Sequence, residues 1–247
     1  QWSLRRHKIA PLQLPAHLDD LIANFQSDEP RSQILTGTAG DGKTYRCREV
    51  WLALGGNESE WLKGEHIQTL KLNGFEVIVV KDLSELSAER SIALLQELAQ
   101  DVTDLASKRV YLIAANHGQL LEKLKEASTN VAVKRLLAVV EELLHSGQNP
   151  DAAVRLVLRN LSKNPDPVLV QNVIEQVVKH PGWDECKECP VRASGKVCPI
   201  WENRSRLSGE ADKGILRLRL MALVQISILN DEHFPIRQLL ILVTNAL

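Results

Sequence analysis

Gly37-Thr38-Ala39-Gly40-Asp41-Gly42-Lys43-Thr44 is the stretch that decides the fold, and its flanks matter as much as its letters. Ser32-Gln33-Ile34-Leu35-Thr36 before it reads as a short buried strand, and Tyr45 through Leu52 after it reads as a helix. Strand, glycine-rich turn and helix is the setting of a Walker A loop, G-x4-G-K-T. Glycines let backbone N–H groups turn inward around phosphates where a side chain would collide. The following helix points its positive end at the same phosphates. On this reading Gly37, Thr38, Ala39, Gly40, Asp41, Gly42, Lys43 and Thr44 cradle a nucleoside triphosphate. Lys43 reaches the β/γ-phosphates and the Thr44 hydroxyl holds Mg²⁺.

Downstream, Phe75-Glu76-Val77-Ile78-Val79-Val80-Lys81-Asp82 is a β-branched run of the kind found in buried parallel strands. An acid at its carboxyl end lies where a Walker B carboxylate supports Mg²⁺, which assigns that role to Asp82. The glutamate that usually follows such an aspartate is replaced by Leu83, so Glu85 is the nearest group for polarising a water. Ser84 or Ser87 then caps a helix with Ile92, Leu95, Leu98 and Val102 on one face. Arg109 through Asn116 is a second buried strand, ending in an amide. Helices follow over about 118–127 and 131–145, the latter with Val133, Leu136, Leu137, Val140, Leu143 and Leu144 on one face. Val154 through Leu158 is a further central strand. Strands alternating with amphipathic helices predict an α/β fold around a parallel sheet, with ligands at the carboxyl ends of the strands.

The chain has 247 residues, 44% hydrophobic and 25% charged, with a net charge of −1, which fits a folded protein and gives no sign of a general nucleic-acid binder. No apolar run approaches the ~18 residues of a membrane span. Basic residues near the N-terminus are not followed by an apolar h-region, so a cytoplasmic location is expected. The absence of an initiator Met and an apolar helical pattern running to Leu247 read as a piece of a longer chain. The expected organisation is an N-terminal lead-in over 1–30, a P-loop NTPase core over 31–165, and a helical region over 166–247. That last region contains a cysteine-bearing insert over 180–205.

In that insert Cys186, Cys189 and Cys198 lie within thirteen residues, and the latter two each precede a proline. Intracellular thiols stay reduced, so metal is preferred over a disulfide, and the C-x2-C pair suits one tetrahedral Zn²⁺. His180 is a candidate fourth ligand, with His233 or His145 as others. An iron–sulfur cluster would be short of a fourth thiolate. Packing of three reduced thiols is the alternative. Trp183 and Trp201 flank the cysteines and are expected to pack this small region, and Cys47 is expected to be a small buried residue.

Three segments, GTAGDGKT at 37–44, VIVVKDLSEL at 77–86 and LIAANHGQLLEKL at 112–124, resemble the AAA+ ATPases. The narrower resemblance is to the DptF-like ATPase subunits of bacterial anti-phage and restriction systems. It implies that Asn116 is a sensor 1 residue near the γ-phosphate. A fourth segment, from Arg217-Leu218-Arg219 through His233-Phe234-Pro235-Ile236-Arg237, resembles a helical lid, implying sensor roles for Arg217, Arg219 or Arg237. It further implies a homo-oligomeric ring with an arginine contributed in trans, for which Arg204, Arg206, Arg217 and Arg219 are candidates. The function implied is ATP hydrolysis that drives or regulates an effector such as a nuclease or deaminase in antiviral defence, with nucleic acid as a further possible partner. A nucleotide-sensing scaffold with weak hydrolysis is the alternative, and a metabolic P-loop kinase fits the cysteine insert and helical half less well.

Overall fold

The computed structural model describes residues 12, 18–162, 167–230 and 232–247. The chain divides into two compact units, one within His17–Lys163 and one comprising Asn164–Leu247 with Leu12, from the N-terminal segment, packed on its core. The segment expected as a single lead-in over 1–30 is divided between the two units at Ala16 and His17. Much of the lead-in expected over 1–30 lies outside the described residues. The helix α1, Asp19–Gln26, belongs to the first unit, because Leu21 and Phe25 are buried in its core.

The first unit is built on β1 (Ser32–Gly37), β2 (Ile67–Leu72), β3 (Phe75–Val80), β4 (Arg109–Asn116) and β5 (Leu156–Asn160), in the spatial order β2-β3-β4-β1-β5. β3, β4, β1 and β5 run parallel. β2 corrects the expectation of an all-parallel sheet: it pairs antiparallel to β3 across the turn Asn73-Gly74. Both turn residues have positive φ, 50° and 80°, as a two-residue hairpin turn of mirror-image type requires. β2 is a half-exposed edge strand, with Lys71 and Thr69 among its outward positions, in keeping with its place at the border of the sheet.

Strand side chains alternate between two cores. Ile34, Ile78, Val80, Tyr111 and Ile113 face one layer, made by α4 (Ala88–Thr103), α5 (His117–Ala127) and α6 (Val131–His145). Leu35, Val77, Val79, Val110 and Leu112 face the other, made by α1, α2 (Lys43–Ala53) and α3 (Glu58–Trp61). β4 is buried on both faces, which explains its unbroken apolar reading. Ser87 caps α4 by accepting the Arg90 N–H, and Asn130 caps α6 by accepting that of Val133. The expected faces of both helices are inside, with Ile92 and Leu137 at the margin. β5 begins two residues later than expected, Val154 remaining a core residue ahead of it.

At the amino end of the sheet a buried polar cluster ties strands to helices. The Asp101 carboxylate near the end of α4 accepts from the Tyr111 hydroxyl (2.5 Å), the Ser107 hydroxyl (2.7 Å) and the Arg109 guanidinium (2.9 Å). Burial, with Asp101 beside it, pushes the Tyr111 phenol well above its ordinary value. Arg155 donates to the carbonyls of Asp101, Asp104 and Ser107, closing the loop between α4 and β4.

In the second unit α7 (Pro167–Val178), α9 (Pro199–Ser208), α10 (Ile215–Leu229) and α11 (Ile236–Asn245) enclose Val173, Ile174, Leu207, Val224 and Val243. Between α7 and α9 the chain makes a 3-10 segment, Pro181–Lys187, and the single turn α8, Pro190–Ala193. Trp183 and Trp201 meet edge to face at 6.3 Å. Arg192 lies 3.8 Å over the Trp201 ring, and Arg204 contacts both rings. The tryptophans therefore pack this region as expected, with arginines supplying faces that a small core lacks.

Candidate functional site

β1 ends at Gly37, where the chain turns into the loop that the sequence singles out. Gly37, Gly40 and Gly42 have φ of 157°, 96° and 77°, backbone space that glycine enters without the penalty of a side chain. At Gly37 crowding adds to this: a Cβ would lie 2.4 Å from Asp41 Oδ2 and 3.2 Å from Ser162 Oγ. α2 starts at Lys43 with Gly42 as an N-cap that offers no side chain, and its first turn holds no acid. No cap side chain therefore competes at the start of this helix, where the dipole favours an anion.

Lys43 is buried, and its ammonium donates to the carbonyls of Gly37 (3.1 Å) and Thr38 (2.7 Å), curling the loop around itself. Burial holds its pKa below the ordinary lysine value, while Asp41 and Asp82 act against that shift. Cys47, one turn along α2, is fully buried; desolvation, with Asp82 adding to it, pushes its thiol up to about 12, so it is an inert packing group. Thr38, Ala39 and Thr44 are exposed along the loop.

The other expected residues of the first unit gather at this carboxyl end of the sheet. Asn116 stands in register with Gly37 across the β1–β4 pair, and its amide donates to Gln119 Oε1 at 3.2 Å. Asp82 follows β3 and is close enough for its charge to act on both Lys43 and Cys47. Its carboxylate also caps the 3-10 turn Leu83–Glu85, accepting from the Ser84 N–H (2.9 Å) and hydroxyl (2.7 Å). Glu85 is exposed and paired with His66 Nδ1 at 2.9 Å, a partner that the spacing of the motif does not reveal. Leu83 is buried in the core beneath them.

One contributor has no motif of its own. Ser162, just beyond β5, donates its hydroxyl to Asp41 Oδ2 (2.8 Å) and accepts the Thr38 N–H (3.1 Å). The same Asp41 oxygen accepts the Thr38 N–H (2.6 Å) and hydroxyl (3.2 Å), so the buried carboxylate is folded back on the base of the loop.

The remaining candidates lie in the second unit. Arg217 pairs with Glu175 at 3.0 Å; Arg204 donates to the Val178 carbonyl and reaches Glu210; Arg206 pairs with Glu202 along α9; Arg219 and Arg237 are exposed. Gln171, Lys179 and Arg217, in that order of effect, hold the Glu175 carboxyl down at about 2. Cys186, Cys189 and Cys198 are free and half-buried, Cys189 and Cys198 each starting a helix ahead of its proline. His180 Nδ1 accepts the Gly182 N–H. Among the described residues no three His, Cys, Asp or Glu side chains converge on a common metal position. No described helix is long and apolar enough to cross a membrane.

Set against known proteins, the chain matches no family model, and neither curated proteins nor solved structures gave a match.

Proposed function

We propose that the first unit binds a nucleoside triphosphate with Mg²⁺ at residues 37–44 and hydrolyses it, working as an oligomeric ATPase that drives or regulates a partner effector. The observation that supports this most is the loop itself: positive-φ glycines, a buried lysine and an uncapped helix start meet at the carboxyl end of a parallel sheet. The donor set fits the ligand. Backbone N–H groups and Lys43 match phosphate oxygens, while the Thr44 hydroxyl and Asp82 match a hard cation. Mg²⁺ would supply neutralisation of phosphate charge. Asn116 would orient the γ-phosphate or its water. Ring assembly, an effector such as a nuclease or deaminase, action on nucleic acid, a cytoplasmic role in antiviral defence, and sensor or finger roles for Arg217, Arg219 and Arg237 rest on the resemblance to AAA+ ATPases. A structural Zn²⁺ on Cys186, Cys189 and Cys198, with His180, rests on spacing.

A second reading, a nucleotide sensor with weak turnover, is favoured by one feature. The position after Asp82 is a buried leucine, and Glu85 is engaged by His66. ATP binding by calorimetry and phosphate release, measured with and without DNA, separate the two. In the first, Asp82→Asn keeps most of the affinity and loses Mg²⁺-dependent turnover. In the second, the wild type binds and hydrolyses no faster than that variant. A wild type that binds no nucleotide refutes both.

A further inference from the structure

We propose that Ser162 is a positioning residue for the phosphate loop, acting through Asp41; this rests on the nucleotide reading above. Asp41 presents a difficulty for any loop meant to hold a polyanion, because a carboxylate among phosphate-binding N–H groups repels the ligand and competes for the same donors. The structure resolves the difficulty by turning that carboxylate inward. Its Oδ2 accepts from the Thr38 N–H, the Thr38 hydroxyl and the Ser162 hydroxyl, leaving the residue only 4% exposed. Two of these donors belong to the loop and move with it. Ser162 comes from the end of β5, a separate strand of the sheet, and fixes the carboxylate against a rigid element.

The anchoring is mutual. The Ser162 hydroxyl also accepts the Thr38 N–H, so one side chain orders both the acid and the first residue after the strand. Its own backbone is held by the Asn160 side chain (3.0 Å), and the neighbouring Leu161 N–H donates to Thr36 O (2.8 Å). A larger residue at 37 would strike this contact, since a Cβ there meets both Asp41 Oδ2 and Ser162 Oγ. Loop geometry is thereby tied to the last residues of the first unit. A ligand that rigidifies the loop will rigidify the exit of β5 as well.

The test is a double-mutant cycle on the full chain with ATP·Mg²⁺ as the probe. Ser162→Ala removes one of the donors to a charged acceptor and is expected to raise the ATP Kd about five- to tenfold. Ser162→Thr restores the hydroxyl and returns the Kd to within about twofold of wild type. In an Asp41→Asn background the Ser162→Ala effect shrinks to under about twofold, because the charge to be held is gone. Hydrogen exchange gives an independent reading: ATP slows exchange over 156–162 in the wild type and not in Ser162→Ala. Ser162 is half-buried and outside both hydrophobic cores, so the alanine variant retains its fold, and the unfolding midpoint checks this. Unchanged Kd in Ser162→Ala, or the same effect with Asn at 41 as with Asp, overturns the proposal. A lowered midpoint with unchanged Kd reduces Ser162 to a structural residue. A wild type that binds no ATP overturns the underlying nucleotide reading, an outcome distinct from the others.

Discussion

Lys43→Ala separates what the lysine does for the loop from what it does for a ligand. In the structure the ammonium is buried and bonded to two carbonyls of its own loop. Its lowered pKa says that desolvation outweighs the nearby carboxylates. The two charged hydrogen bonds and the desolvation penalty oppose one another, so stability without nucleotide should change by no more than about 1 kcal/mol. Binding is different. Removing the cation from a desolvated charge pair costs about 2–5 kcal/mol, and the surviving helix terminus and Thr44 place the loss at the lower end. About 2–3 kcal/mol is roughly a 30- to 150-fold rise in Kd. Calorimetric titration with ATP measures this, and AMP is the internal control, since it has no β- or γ-phosphate for the lysine to meet. Affinity for ATP within about threefold of wild type, or an equal loss for AMP and ATP, would refute the reasoning.

Tyr111→Phe deletes a donor to buried Asp101 at the other end of the sheet. Because Ser107 and Arg109 still serve that carboxylate, a loss of about 1.5–2 kcal/mol in urea unfolding is expected, with ATP affinity unchanged. Glu175 provides a pH test in the helical unit: its folded pKa, about 2, lies below the ordinary carboxylate value. The stability it contributes is therefore full above about pH 4.5 and lost as pH falls towards 2; since the group is partly exposed, the effect is screened to about 1 kcal/mol or less. Acid titration of the helical signal should be flatter in that window for Glu175→Gln, and identical curves would contradict the assignment. For the cysteines, elemental analysis should find about one zinc per chain, released by Cys189→Ser with loosening of 180–205 and no change at the nucleotide loop. Metal-free protein with that segment ordered would instead leave the thiols as packing groups among Trp183, Trp201 and the two arginines stacked on them.

β3 and β4 are legible because strands buried on both faces are largely apolar, and a run such as Val77-Ile78-Val79-Val80 admits few other readings. β1, with Ser32, Gln33 and Thr36 among its buried residues, is legible from the glycine loop that follows it. β2 is hidden because an edge strand needs only a few inward residues. Gln68 and Lys71 dilute its alternation, although Asn73-Gly74 marked the hairpin in plain view. The placement of Lys43, Asp82 and Asn116 at the carboxyl end of the sheet is legible because each sits at a fixed offset from a strand end. That of Ser162 and His66 is not, because their roles depend on which strands lie side by side. Ser162 meets Asp41 across more than a hundred residues of chain, and no local pattern encodes that meeting.

The strand order also governs when the loop over 37–44 can come into being. β2 and β3 are joined by a two-residue turn, and that hairpin can form at once from local chain. β1 has no such neighbour: Gln33 pairs with Leu112 on one side and Val157 on the other, segments about 80 and about 125 residues away. Closing loops of that length must precede the contacts that compensate for it, which places the docking of β1 between its two partners late in folding. A chain still emerging from synthesis would hold the motif long before β5 exists to anchor it. If the loop binds nucleotide as proposed, competence should therefore arrive only after residue 162 is free to reach the sheet, and nucleotide capture would report on completion of the whole first unit.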